Sequence, residues 1–315
     1  MSAAILVLLG LMLGRSGVDA AAANADPPIR RTADPPMRVL IVTGVSGEPR
    51  FAQEFTAQAR SLIASLGKAG VSGDRIVWLA ETEQPTVAGR STRERVEQEM
   101  VRLAGGTGPG EQVLLVFIGH GSDAGEPKLN LPGPDLTAAD LARVLEGYGT
   151  KPVAIVVAAS SSGGFAEKLA GPGRLIITAT RTGQERNEVR FGHWFTQAFA
   201  GGAADIDKDG ALSLFEAYAY TVREVKREYE SGNKLLTEHA RITDSTLARQ
   251  FVFGAAGAVP TDAASQALVE KKRNLESQIA ALRARKAQMD STAYEKQLEA
   301  LLVELATVNQ ELRKP

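Results

Sequence analysis

Five short apolar runs constrain this chain more than any other feature. Residues 37–43 (MRVLIVT), 75–80 (RIVWLA), 112–118 (QVLLVFI), 152–158 (PVAIVVA) and 174–180 (RLIITAT) are continuous and rich in Val, Ile and Leu. Runs of this kind read as strands buried on both faces. Helical spacing fills the gaps between them, over 51–66, 91–104 and 137–148, with a short helix around 165–170. Thr137 and Asp140 stand at capping-box spacing at the start of the third helix. Strand and helix in alternation predict an α/β fold: a three-layer sandwich around a mostly parallel sheet. In such sheets, ligand sites gather beyond the carboxyl ends of the strands.

The two ends of the chain differ from this middle. Residues 3–14 (AAILVLLGLMLG) are apolar but shorter than the roughly 20 residues that span a bilayer. Ala23-Asn24-Ala25 follows as a small-x-small pattern before Asp26. This layout predicts a secretory signal peptide over 1–25 and an exported protein, periplasmic or extracellular. No Lys or Arg precedes the apolar run; left uncleaved, it would act as an N-terminal anchor. Two Asp-Pro-Pro triplets make 26–36 an extended linker. At the other end, residues 262–314 contain no Gly. Leu268, Leu275, Ile279 and Leu282 recur at helix-seam spacing, as do Leu298, Leu301, Leu305, Val308 and Leu312. The two runs fall out of step near Met289, where Thr292 and Glu295 match a capping box. The pattern predicts a helical hairpin over 259–315; the alternative is one long, dimerising coiled-coil helix. Such helices either cap the main domain or dock a protein partner.

Composition removes whole classes of chemistry. The 36 basic and 37 acidic side chains leave a net charge of −1, which gives no field for nucleic acid. No Walker loop or GxGxxG follows any strand, so nucleotide binding has no support. Cysteine is absent, which excludes disulfides, thiolate zinc sites and a cysteine nucleophile. Histidine occurs three times, at His120, His193 and His239.

Two strand ends carry candidate chemistry. The third strand runs into Gly119-His120-Gly121-Ser122, which puts an imidazole where a general base can act. The fourth runs into Ala159-Ser160-Ser161-Ser162-Gly163, a turn rich in hydroxyls and backbone donors, suited to an anionic ligand. A strand ending in His-Gly, followed by a strand ending in Ala-Cys-x-Ser-Gly, is the pattern of the caspase and legumain superfamily of cysteine peptidases. The chain resembles that superfamily from about Met37 to Gly254. The resemblance implies a caspase-like sheet, with His120 as base, Ser160 at the nucleophile position and the amides of Gly121 and Ser160 as an oxyanion hole. It also sets the segment after the fifth strand, including Arg181, near the substrate pocket, where Arg181 and Ser162 become candidate ligand contacts.

Serine in place of cysteine alters the chemistry. A thiol, with a reference pKa of about 8.5, supplies thiolate by itself at neutral pH. A hydroxyl needs an oriented base bonded to it. The superfamily's widely spaced dyad, as the resemblance implies, suits the thiolate. The expectation is therefore a peptidase-degenerate domain that binds a peptide or protein. The alternative is an active endopeptidase in which Ser160 attacks and His120 is the base.

A separate signal lies downstream. Residues 205–216 (DIDKDGALSLFE) fill the calcium-loop pattern D-x-D-x-D-G-x5-E. Asp205, Asp207 and Asp209 supply hard oxygens, Ala211 a carbonyl and Glu216 a bidentate carboxylate, with Leu212 pointing inward. The preceding Gly201-Gly202-Ala203-Ala204 is no helix, so this is a lone loop with a structural role for calcium. In the polar stretch 181–188, Arg186 reads as part of a solvated loop, while Arg181 is placed to clamp a carboxylate. His193 sits among aromatics and reads as packed, whereas Glu238, His239 and Asp244 are spaced to form a polar cluster.

Overall fold

The computed structural model describes residues 37–254, 263–286 and 289–312. The apolar N-terminal run, the Ala23-Asn24-Ala25 site and the Asp-Pro-Pro linker lie outside these residues. Among the described residues, no helix is long and apolar enough to cross a membrane.

The apolar runs become the strands of one sheet. β1 (Met37–Thr43) leads through α1 (Pro49–Lys68) to β2 (Ile76–Ala80) and a two-residue edge strand, β3 (Gly89–Arg90). Next come α2 (Arg93–Gly106) and β4 (Gln112–Gly119), then a small antiparallel ribbon of β5 (Gly121–Asp123), β6 (Pro127–Leu129) and β7 (Leu136–Thr137). The chain continues through α3 (Ala138–Leu145), β8 (Val153–Ala159), α4 (Phe165–Lys168), β9 (Arg174–Thr178) and α5 (Phe191–Ala198). It then passes β10 (Leu212–Ser213), α6 (Leu214–Ser231), β11 (Arg241–Ile242), α7 (Ser245–Ala248) and β12 (Val252–Phe253). The sheet order is β11-β9-β8-β4-β1-β2-β3, parallel throughout except for β11 on β9.

Alternation of side chains sorts the strands' residues into two cores. Val39, Ile41, Leu114, Val116 and Val156 face α1, α5 and α6, where Phe51, Phe55, Leu62, Phe195 and Leu214 meet them. Leu40, Val42, Leu115, Phe117 and Ile155 face α2, α3 and α4, with Val96, Met100, Leu141 and Phe165 opposite. This is the three-layer α/β sandwich that the alternating runs predict. Each fully buried Leu, Ile or Phe contributes about 1.5–3 kcal/mol relative to exposure, so both faces of the sheet are anchored. The capping box of α3 forms as its spacing indicates, with Thr137 Oγ1 accepting from Asp140 N–H at 3.0 Å.

Strand order places the crevice. β1 has β2 on one side and β4 on the other, so the connections leave it in opposite directions. Helices then fall on opposite faces, and a gap opens beyond the strand ends at that switch point. Gly44 follows β1 and Gly119 ends β4 there: a Cβ on Gly44 would lie 2.5 Å from the Asn130 carbonyl oxygen.

The C-terminal residues form two helices, α8 (Ala263–Ala284) and α9 (Ser291–Leu312). Lys271, early in α8, pairs with Glu304, late in α9, at 2.8 Å. Lys286, beyond the end of α8, lies over the ring of Tyr294, early in α9. The two contacts fix an antiparallel hairpin, and the single long helix does not form. Leu275, Ile279, Leu282, Tyr294 and Val308 are buried. The start of α9 differs from the sequence expectation: its first residue is Ser291, and Asp290 Oδ1 accepts from Ala293 N–H at 3.0 Å. Asp290 thus caps the helix two residues ahead of the Thr292–Glu295 pair, because its carboxylate reaches the free third amide.

Candidate functional site

Register brings the two strand ends together. In the β4–β8 ladder Gly119 pairs with Ala159. The next residue of each strand, His120 and Ser160, therefore leaves the sheet on adjacent tracks. Both line one cleft with Phe51, Glu54, Gln58 and Glu188.

His120 is held from three sides. Phe51 and Phe55, one helical turn apart on α1, meet its ring edge-on at 4.5 and 5.2 Å. Its Nε2 lies 3.3 Å from the Ser46 carbonyl oxygen. A carbonyl only accepts, so in this contact Nε2 carries the proton. Ser46 is itself fixed: its N–H and hydroxyl donate to Glu81 Oε2 at 3.0 and 2.6 Å.

Ser160 is 7% exposed. Its hydroxyl donates to the Gly121 carbonyl at 3.2 Å and accepts from the Gly121 N–H at 3.4 Å. Among the described residues no hydrogen bond joins Ser160 to His120. The Gly121 amide, the candidate oxyanion donor, is taken up by that hydroxyl. Gly121 must be glycine for this approach, since a Cβ there would lie 2.5 Å from the Ser160 carbonyl oxygen.

The rest of the turn is framework. Ser161 sits in the left-handed region at φ 52°, at a cost of about 1–2 kcal/mol. Its N–H donates to the Glu185 carbonyl at 2.9 Å. Ser162 is fully buried: its Oγ accepts from Thr180 N–H at 3.2 Å and lies 3.2 Å from Thr180 Oγ1. Thr180 Oγ1 also accepts from Gly163 N–H. Ser162 therefore braces the turn from inside and offers no surface to a ligand.

The loop after β9 folds back on this turn. Glu185 accepts from Arg181 N–H and His239 N–H, both at 3.0 Å, and lies 2.9 Å from His239 Nδ1. The stretch 181–188 is thus stitched down and not merely solvated. Arg181 remains exposed at its start. Glu238, His239 and Asp244 do not cluster. Glu238 accepts from Arg190 and Phe191 N–H at the start of α5, while Asp244 caps α7. His193 stacks edge-on against Trp194, as the aromatic surroundings suggest.

Several cleft residues lie outside the sequence reading. Gln58 Nε2 donates to Glu54 Oε1 at 3.0 Å, while its Oε1 is buried without a partner. Arg190 pairs with Glu54 at 3.1 Å and Glu228 at 2.8 Å, and Arg50 pairs with Glu188 at 3.2 Å. The rim is therefore ionic, with carboxylates outnumbering guanidiniums. The Phe51/Phe55 spacing was visible as helix periodicity, but nothing local showed that this face meets His120.

The acidic loop brings three of its five expected donor residues together. Carboxylate oxygens of Asp205, Asp207 and Asp209 lie within 4.8 Å of one another, an arrangement that can hold a metal ion. Gly210 takes φ 79° and its N–H donates to Asp205 Oδ2 at 3.1 Å. Leu212 points inward, 2% exposed, and its strand β10 pairs with β12. Ala211 is buried beside the turn. Glu216 Oε2 accepts from Ser213 N–H and hydroxyl in a capping box, and its Oε1 accepts from Ile206 N–H at 3.1 Å. Burial raises the carboxyls of both Asp205 and Glu216 above the usual range.

No protein-family model and no curated protein matches the chain. Among solved structures, it is similar to the Drosophila initiator caspase Dronc, at 12% identity and a TM-score of 0.46, covering 69% of this chain and 82% of that one. It is also similar to GSU0716 from Geobacter sulfurreducens, at 13% identity and a TM-score of 0.47, covering 68% of this chain and 97% of that one. Neither likeness bears on the chemistry of the cleft.

Proposed function

We propose that this is an exported, non-catalytic binding module that takes an extended peptide or protein segment in the cleft at the ends of β1, β4 and β8. One observation carries the reading. The proton of the Ser160 hydroxyl is directed at the Gly121 carbonyl, and among the described residues no hydrogen bond joins that hydroxyl to His120. A hydroxyl without a base bonded to it is a poor nucleophile. The cleft still offers polar handles for a peptide, the carboxylates of Glu54 and Glu188. The helical hairpin would serve a protein partner. The Asp205–Glu216 loop would hold calcium structurally, with Asp205, Asp207, Asp209, the Ala211 carbonyl and Glu216 as donors. Its support is the set of three close carboxylates and the buried, unpaired Asp205 Oδ1.

A diverse peptide library tests the reading, scored for binding by fluorescence polarisation and for cleavage by mass spectrometry. The expected result is binding without cleavage, with binding lost in Ser160→Tyr, whose ring fills the cleft floor. Cleavage that disappears in both Ser160→Ala and His120→Ala would instead establish a serine endopeptidase.

A further inference from the structure

The acidic loop already holds a cation, and that cation belongs to the chain. Lys272, on α8, has a side chain only 4% exposed, rare burial for a lysine. Its Nζ pairs with Asp207 and, at 3.1 Å, with Asp209. These are the third and fifth positions of the loop, where a bound ion takes its oxygens.

The lysine leaves the loop undersupplied. An ammonium has three donors, whereas a divalent ion of calcium's kind takes six to eight oxygens. Asp205 Oδ1 is buried with no partner. Glu276, one turn beyond Lys272 on α8, and Arg249 line the same pocket as Asp207, Asp209 and Glu216. Four carboxylates there (Asp207, Asp209, Glu216 and Glu276) face two cations, Lys272 and Arg249, and Asp205 adjoins them in the loop. Burial raises the Glu276 carboxyl, as it does those of Asp205 and Glu216.

Lys272 links the hairpin to this seat. Its buried apolar residues Leu275, Ile279 and Leu282 belong to neither of the two cores that sandwich the sheet. Lys272 supplies ion pairs that join α8 to the α/β domain. An ammonium and a metal ion cannot share the same carboxylate oxygens, because the ion needs them at about 2.3–2.6 Å.

We propose that Lys272 is a tethered substitute for a divalent cation, and that calcium displaces it and thereby releases α8 from the loop. The proposal rests on the reading of 205–216 as a calcium loop. In the calcium-free state the lysine docks the hairpin. In the calcium-bound state the loop is satisfied by the ion, and the hairpin surface around Lys272 becomes free.

The test uses the full-length protein after chelator treatment. Calcium is titrated by calorimetry into wild type and Lys272→Gln, and amide hydrogen exchange is followed across α8 with and without the ion. The expected results are calcium binding at least tenfold tighter in Lys272→Gln, and faster exchange in α8 of wild type when calcium is added. Sodium chloride at matched ionic strength should leave α8 unchanged; an equal effect would mean simple screening and overturn the proposal. Calcium binding with equal affinity in both proteins and unchanged α8 protection would also overturn it, leaving the calcium loop in place. Absence of binding to either protein would overturn both. The wild-type exchange measurement stands by itself should Lys272→Gln fail to fold.

Discussion

Gly163→Ala is expected to lower stability by about 4 kcal/mol, at the upper end of single-substitution effects. A Cβ at this position would lie 2.3 Å from the Arg181 carbonyl carbon, the Arg181 carbonyl oxygen and the Thr182 nitrogen. All three are backbone atoms and cannot rotate away. Nor can the turn shift freely. Gly163 N–H is bonded to Thr180 Oγ1, Ser162 to Thr180, and Ser161 N–H to the Glu185 carbonyl. The substitution must therefore part the turn after β8 from the loop after β9, the two segments that frame Ser160. Gly67→Ala is the control. It lies within α1 with nothing near its missing Cβ, and should be neutral or stabilising by up to about 1 kcal/mol. Urea unfolding followed by circular dichroism measures both. A Gly163→Ala protein within about 1 kcal/mol of wild type would show that the two loops are not locked together.

The second large effect is a fall in stability as pH rises from about 4.5 to 7. Glu238 is 3% exposed, and burial pushes its carboxyl up to about 7, against the opposing pull of the Arg190 and Phe191 amides. In the unfolded chain the same group titrates near 4.5. Between those values the folded state holds the proton and the unfolded state does not. The stabilisation is thus complete below the unfolded value and is lost as pH rises through the folded one. A shift of this size corresponds to about 3 kcal/mol. The raised carboxyls of Asp205, Glu216 and Glu276 act in the same direction. Glu111 acts oppositely. Arg75, the Gly108 N–H and Arg38 hold it at about 2, so its contribution is present above 4.5 and lost only as pH falls through 2. Denaturant titrations at pH 5, 6, 7 and 8 should show the decline in wild type and a flatter profile in Glu238→Gln. Identical slopes would mean that Glu238 ionises normally in the folded protein.

Much of the architecture was legible because it depends on local pattern. A strand buried on both faces must be continuously apolar, and each of the five runs became a central strand. The clustering of Asp205, Asp207 and Asp209 was legible for a similar reason, since glycine at 210 and aspartates at alternate positions shape the loop locally. The small strands β3, β5, β6, β7, β11 and β12 were not, because two or three residues carry no period. The cleft was half legible. His120 and Ser160 follow from strand ends, but the clamp of Phe51 and Phe55 depends on how α1 lies across the sheet. Ser162 resembled a ligand contact in sequence because a hydroxyl at a strand end is suited to one. Its burial against Thr180 is a tertiary fact. Lys272 was the least legible of all, since only the fold brings α8 to a loop more than 60 residues earlier.

The most direct test of the account is intact-mass analysis after incubation with a fluorophosphonate, which labels serines that a base has activated. With the Ser160 proton held by a backbone carbonyl and no hydrogen bond from that hydroxyl to His120, the predicted result is an unchanged mass for wild type. A single adduct mapping to Ser160, absent in His120→Ala, would show a working nucleophile and contradict the account.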